Sequence, residues 1–487
     1  MIRRLLYLFI WVLLTAACTD GVKNATTADR LPPIFPDYAG VTVPVGIAPL
    51  NFALAEDCDR IDVVVSGQKG GQLHVNGRYA DFDVDEWHAL LEQNRGADLT
   101  VTVCAKHDGR WTQYRDFTIT VSPYALDEWG LTYRRIAPGY EVYSAMGLYQ
   151  RDLSNFDETA ILENTQVPGM CINCHTSNRT DPSQFVFHVR GEHGATMIQR
   201  DGHREWLRAS SDQLGGSMVY PYWHPSGRYC AFSTNQTRQG FHVAPGERIE
   251  VFDHSSDVFV YRPDTHEMIS DSLLMTKDWS ENTPTFSPDG RWLYYMTCLQ
   301  QEYPAHFKEE RYNLCRIAFD PDKGTFGSEV DTLFNAAAMG KSLTWPRPSY
   351  DGRYILFTLM DYGYFSIWHN EADQWLLDLK TGEARAVDEI NSPRADSYHN
   401  WNVNSHWVVF TSRRDDGLYS RLYLACIDSR GRFSKPFLLP QHDPQRYYDR
   451  TLYSFNTPDF TARPVSFDAR TAGYEIRSSE RVGTKMR

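Results

Sequence analysis

The side chains with the most distinctive chemistry stand in one short run, Cys171-Ile172-Asn173-Cys174-His175. Two thiols three positions apart, followed at once by an imidazole, match the Cys-x-x-Cys-His pattern of c-type haem attachment. Each thiol can add across one vinyl group of a single porphyrin, and the histidine becomes the proximal iron ligand. Three other chemistries use a cysteine pair at this spacing. A thioredoxin-like redox pair sits in a βαβ pattern, which does not surround residues 171–175. A zinc site needs a second Cys-x-x-Cys or a histidine pair at ligand spacing, and neither follows. A disulfide across so short a loop is strained. The reading that uses all three side chains is one covalent haem c on Cys171, Cys174 and His175.

The iron's second axial ligand sets its potential, and a vacant position suits ligand binding. His188 is the candidate distal ligand, with His193, Met197 and Met218 as alternatives; Met170 adjoins Cys171 and is too near along the chain to reach the far face of the ring.

Haem c is attached outside the cytoplasm, so the chain must be exported. Arg3 and Arg4 precede an apolar run over residues 5–14, too short for a stable span, and Thr15-Ala16-Ala17-Cys18 follows. The small residues before Cys18 resemble a bacterial lipobox, with Thr15 departing from the usual leucine. Residues 1–17 are thus expected to be a lipoprotein signal peptide and Cys18 the lipidated thiol, the alternative being an ordinary signal peptide cut near Ala17. Residues 18–40, including the proline-rich stretch at 31–36, are expected to be a flexible tether. The expected location is the cell envelope, anchored by the N-terminal lipid in the periplasm or outer membrane.

The formal net charge of −13 argues against nucleic acid as a partner and against a polybasic membrane grip. Aromatic residues make up 14% of the chain, a composition typical of tightly packed β-structure. Of nine cysteines, Cys58 with Cys104 and Cys298 with Cys315 are conceivable disulfide pairs, though spacing does not give connectivity.

Short alternating runs at 61–65, 72–75, 99–103 and 116–121, punctuated by Gly70-Gly71, Asn76-Gly77 and Asp108-Gly109, predict a small immunoglobulin-like β-sandwich over residues 41–123. One helix interrupts it near 83–93, with Trp87, Leu90 and Leu91 on one face. Residues 124–184 lack strand alternation and read as a haem-bearing connector, helical over 146–161. Its Tyr124, Trp129, Tyr133, Tyr140, Tyr143 and Tyr149 are candidate walls of a haem pocket.

A repeat then emerges at a spacing of about 55–60 residues. Its copies begin at Tyr220-Pro221-Tyr222-Trp223, Thr283-Pro284-Thr285-Phe286 and Trp345-Pro346-Arg347-Pro348, with a degraded copy at Asn400-Trp401-Asn402. Each reads as a strand, a tight glycine turn and an apolar strand, the inner hairpin of a propeller blade. Phe455-Asn456-Thr457-Pro458 falls where a further repeat or a closing strand belongs.

The core Phe286-Ser287-Pro288-Asp289-Gly290-Arg291 resembles the β-propeller repeat of TolB, also called a WD40-like or PD40 repeat. The chain is similar to exported Bacteroidetes proteins that combine such a propeller with one Cys-x-x-Cys-His. Further matches are residues 47–52, Phe187-His188-Val189-Arg190-Gly191 and Ser412-Arg413-Arg414-Asp415-Asp416-Gly417-Leu418. The resemblance implies a mainly β chain with a TolB-like propeller over residues 185–465, six-bladed with five as the alternative, and a loose tail over 466–487.

Electron transfer through the haem, with an unknown redox or protein partner, is the expected function. The alternative is a peptide- or protein-binding platform with a structural or sensory haem, in which Trp223, Trp345 and Trp401 could line the channel. No Gly-x-Ser-x-Gly elbow, His-Glu-x-x-His site or glycine-rich phosphate loop occurs, which leans away from a hydrolase or lyase.

Overall fold

The computed structural model describes residues 22, 24–137, 145–208, 217–242, 246–478 and 480–487. The signal segment and Cys18 lie outside these residues, as do Tyr140 and Tyr143.

Six mainly antiparallel sheets dominate the described residues. The first joins Gly130–Ile136, Met146–Asp152 and Glu158–Glu163 to a strand from far downstream, Ser454–Thr461. The other five are built from consecutive strands, one of them with an added strand from near the chain's end, and open with Cys171–Asn178, Ser217–Trp223, Trp279–Phe286, Ser342–Pro348 and Asp396–Trp401. Each opening strand touches the next, Asp396–Trp401 touches Ser454–Thr461, and Ser454–Thr461 touches Cys171–Asn178. The contacts close into a ring. This is a β-propeller, in which sheets packed face to face bury both faces of the inner strands. Ser342–Pro348 and Tyr354–Met360 are accordingly buried along their whole lengths.

The repeat at 220–234, 283–295, 345–358 and 400–412 forms the inner hairpins of the third to sixth sheets, as expected from sequence. Gly227, Gly290 and Gly352 hold φ of 69°, 71° and 74° in the turns, and Ser405 holds 63° in the degraded copy. Neighbouring turns interlock: His224 Nε2 lies 3.0 Å from the Gly290 carbonyl oxygen, and a Cβ on Gly290 would fall 2.2 Å from that nitrogen.

Upstream, Arg60–Gly67, Gln72–Gly77, Asp98–His107, Arg110–Gln113 and Phe117–Val121 form one sheet with short strands Thr26–Thr27 and Thr42–Val43. Ile34–Phe35 and Ala53–Leu54 make a separate pair. The helix Val84–Gln93, capped by the Asp83 carboxylate, buries Trp87, Leu90 and Leu91, as the apolar spacing predicts. This module shares a continuous apolar core with the first and sixth sheets, on either side of the ring's seam: Val63 and Val101 belong to the same cluster as Leu131, Trp407, Val409 and Phe460.

Four sequence expectations are corrected. Residues 124–184 are not a connector: the propeller begins at Gly130, and Met146–Asp152 is a strand rather than the start of a helix, because Ser454–Thr461 supplies the partner that local sequence could not reveal. The tether is shorter than 18–40, since Thr26–Thr27 pairs with Thr112 and Gln113 and Tyr38 is fully buried. The tail is ordered. Its helix Ala469–Ser478 buries Ala472 and Ile476 beside Ile161 and Phe187, and Lys485–Met486 joins the third sheet. The eight described cysteines are free thiols; Cys315 pairs with Tyr295 in the ladder, three positions away from Cys298.

Candidate functional site: a cavity at the end of the propeller channel

On a regular strand side chains alternate, so Cys171, Asn173 and His175 would face one way and Ile172 and Cys174 the other. The structure breaks this alternation. Pairing with the next strand shifts register between Asn173 and Thr176, and Cys174 takes a left-handed φ of 54°. The bulge brings Cys174 round to the cavity that Cys171, Asn173 and His175 also line. Ile172 keeps its outward course into the core beside Leu148 and Val189.

The same bulge recurs in all six inner strands. Tyr220, Thr283, Trp345, Tyr398 and Thr457 have φ of 51°, 46°, 55°, 49° and 48°. The residue that follows is proline in four strands and histidine in two, His175 and His399. Cys174-His175 therefore occupies the place that Tyr220-Pro221 and Trp345-Pro346 hold elsewhere.

The cavity measures about 300 Å³, within the usual range for small-molecule sites. It sits where the inner strands begin. Tyr220, Trp345, Phe365, Trp368 and Tyr398 supply aromatic walls, with Trp345 and Tyr398 in edge contact at 5.0 Å. Arg134, Arg190, Arg347 and Arg413 also line it, and no aspartate or glutamate does among the described residues. An excess of buried cation in a chain of net charge −13 marks this cavity as a place for anionic groups.

Burial drives His175 down to about 4, an effect the Thr132 backbone carbonyl only partly offsets, so its ring is neutral at physiological pH. Neither ring nitrogen makes a well-formed hydrogen bond. A neutral, unengaged imidazole is the form that ligates a metal. Burial raises the Cys174 thiol; Arg190, the Tyr220 backbone N–H and Arg134 oppose that rise. Arg134 Nη2 lies 3.5 Å from Cys171 Sγ and 3.5 Å from Met146 Sδ. Two free thiols, a neutral imidazole, aromatic walls and arginines line one cavity, a donor set whose chemistry would suit a covalently attached haem.

The distal candidates fare differently. His188 is buried, with Nδ1 3.0 Å from Thr196 Oγ1, and does not line the cavity. Met170 and Met197 belong to the core beside Ile172, Met218 of the third sheet packs into the core with Val186 and Ile198 of the second, and none of these, nor His193, lines the cavity. The methionine that does line it is Met146, in a segment the sequence suggested was helical. Of the tryptophans expected in the channel, Trp345 is there, whereas Trp223 and Trp401 are core residues. Tyr133 and Tyr149 do not reach the cavity; they hydrogen-bond Glu158 and Glu163. The cavity's aromatics come instead from loops and bulges between residues 220 and 398, whose convergence has no local sequence signal.

No family model matches the chain, and no curated protein matches it. Among solved structures it is similar to TolB from Acinetobacter baumannii, at 14% identity over 77% of this chain and 85% of that one, with a TM-score of 0.41. It is also similar to an oligogalacturonate lyase in complex with manganese, at 11% identity over 63% of this chain and 74% of that one, TM-score 0.36. A puromycin-hydrolyzing peptidase of Mycobacterium tuberculosis shares 12% identity over 71% of this chain, TM-score 0.35; the match spans about half of that chain, 52%.

Proposed function

We propose that this chain is a cell-envelope lipoprotein whose TolB-like propeller has six blades, one per sheet of the ring, and carries one covalent haem c in its central cavity for electron transfer. The observation that supports this most is the bulge at Cys174, which gathers both thiols and His175 on one cavity wall. In this reading Cys171 and Cys174 hold the porphyrin and His175 ligates the iron. Bound there, the haem accepts and passes one electron. The aromatic walls keep water from the site, and Arg134 and Arg190 place positive charge beside the attachment edge. Lipidation at Cys18 would tether the molecule to the membrane.

One observation favours a second reading, a binding platform with a structural or sensory haem. His188 faces Thr196 and not the cavity, and among the described residues His175 is the one histidine lining it.

The test is the visible spectrum of protein exported by a host with haem-attachment machinery. A sharp band at about 550 nm on reduction, lost in Cys171→Ala/Cys174→Ala, is expected. A wild-type protein without that band, or an unchanged spectrum in the double variant, would refute the assignment. A reversible six-coordinate redox couple supports transfer; a five-coordinate iron that binds CO supports the sensory alternative.

A further inference from the structure

The segment 412–418 stands out in the sequence but has no part in haem attachment. In the structure it borders a second pocket of about 310 Å³, lined by Gly246, Arg248, Trp368, Arg394, Arg413 and Asp416 among others. This pocket adjoins the mouth of the central cavity and shares Trp368, Arg413 and Leu418 with it. Three separate elements converge there. Arg248 immediately precedes the strand Ile249–Arg262, Trp368 ends a short helix of the fifth sheet, and Arg394 and Arg413 flank the first hairpin of the sixth.

Arg413 is 1% exposed, yet its hydrogen-bond partners are backbone carbonyls rather than carboxylates. Nη1 donates to Ile367 O at 3.1 Å and Gly246 O at 3.4 Å, Nη2 donates to Gly417 O, and Nε has no partner. The guanidinium lies 3.6 Å over the Trp368 ring, which fixes its plane. Burial, with Arg394 and Arg248 close by, pulls it down to about 9, and Asp416 only partly offsets this. Asp416 is itself engaged, accepting from Leu418 N at 2.7 Å, Tyr419 N at 2.8 Å and Arg421 Nη2 at 3.3 Å. Arg394 is set against Gly417, where an added Cβ would lie 3.4 Å from its Nε. A buried cation held by carbonyls and stacked on an aromatic ring, with no carboxylate hydrogen-bonded to it, can take an incoming anion as its ion-pair partner.

We propose that Arg413, Arg394 and Arg248, backed by Trp368, form a carboxylate-binding site at the mouth of the central cavity. The shared chemistry is a carboxylate in a guanidinium cluster. Its source is either a small carboxylic acid from solution or the propionate edge of a haem lying in the cavity, and the site does not depend on a haem being present.

Succinate serves as the probe. It is titrated by calorimetry into the full-length protein as exported and into the haem-free Cys171→Ser/Cys174→Ser protein. Binding to the haem-free protein is expected, weakened at least about tenfold by Arg394→Gln, an exposed position whose substitution leaves the fold intact. Arg413→Gln is expected to weaken it further. Succinate binding to the haem-loaded protein as well identifies a solution ligand. Binding confined to the haem-free protein, together with a changed reduction potential of haem-loaded Arg394→Gln, identifies the propionates. Equal succinate affinity in wild type and Arg394→Gln, or no succinate binding with an unchanged potential, overturns the proposal. If the exported protein carries no haem, the haem assignment alone fails, and the titration still tests this site.

Discussion

Cys174 in the second sheet and Trp345 in the fifth share one backbone conformation, φ of 54° and 55°, and line the same cavity. The haem motif is therefore written over a structural position of the repeat. A side chain with a Cβ in that left-handed conformation costs about 1–2 kcal/mol, whereas glycine adopts it freely. In protein made without haem-attachment machinery, which removes any effect of haem loss, Cys174→Gly is expected to be as stable as its parent or more so. Cys174→Val should be less stable than Cys174→Gly by that amount. Urea midpoints check this, and a valine variant that matched the glycine variant would contradict the bulge.

Asp459 clasps the ring's seam. From the closing strand it accepts from Thr176 Oγ1 and Ser177 N, both at 3.1 Å, in the second sheet, and from Asn400 Nδ2 at 2.8 Å in the sixth. Asp459→Ala leaves three donors without their acceptor and should cost roughly 2–4 kcal/mol in denaturant unfolding. Because Asn400 shares this acceptor, Asn400→Ala combined with Asp459→Ala should cost less than the sum of the two. Full additivity would show that the seam is held elsewhere.

The buried histidines give the propeller an acid-labile component of its stability. Burial lowers His224 to about 4 and His399 to about 3. Their folded values lie below the unfolded one of about 6.5, so the stability they contribute is complete above that pH and is lost as pH falls toward 4. The slope of melting temperature between pH 6.5 and 4.5 should flatten in His399→Gln, even though its midpoint at pH 7 drops because Nε2 no longer meets Leu356 O, now 2.8 Å away. An unchanged slope would mean that His399 protonates without strain.

The placement of His188 and Met146 yields a spectroscopic expectation. His188→Gln should keep the haem spectrum and lose about 1 kcal/mol of stability with the Thr196 contact. Met146→Ala, which alters the cavity wall itself, should change the spectrum of the oxidised protein. A spectrum altered by His188→Gln and untouched by Met146→Ala would restore His188 as the distal ligand.

Local patterns made much of this molecule legible in its sequence. The repeat places four inner hairpins, because a glycine turn between two apolar strands is a local event with a steric cause. The helix at Val84–Gln93 was visible for the same reason, its Asp83 cap and apolar face lying within a single turn-by-turn pattern. The motif at 171–175 was equally plain as chemistry. Tertiary structure decided what had no local cause. The first sheet needed a strand that begins about 290 residues after the last of its others, so residues 130–163 looked like a connector. The cavity's aromatics and arginines converge from separate sheets. Above all, alternation along a strand would have sent Cys174 away from Cys171 and His175. Only the bulge, set by pairing with the neighbouring strand and repeated around the ring, turns all three toward one space.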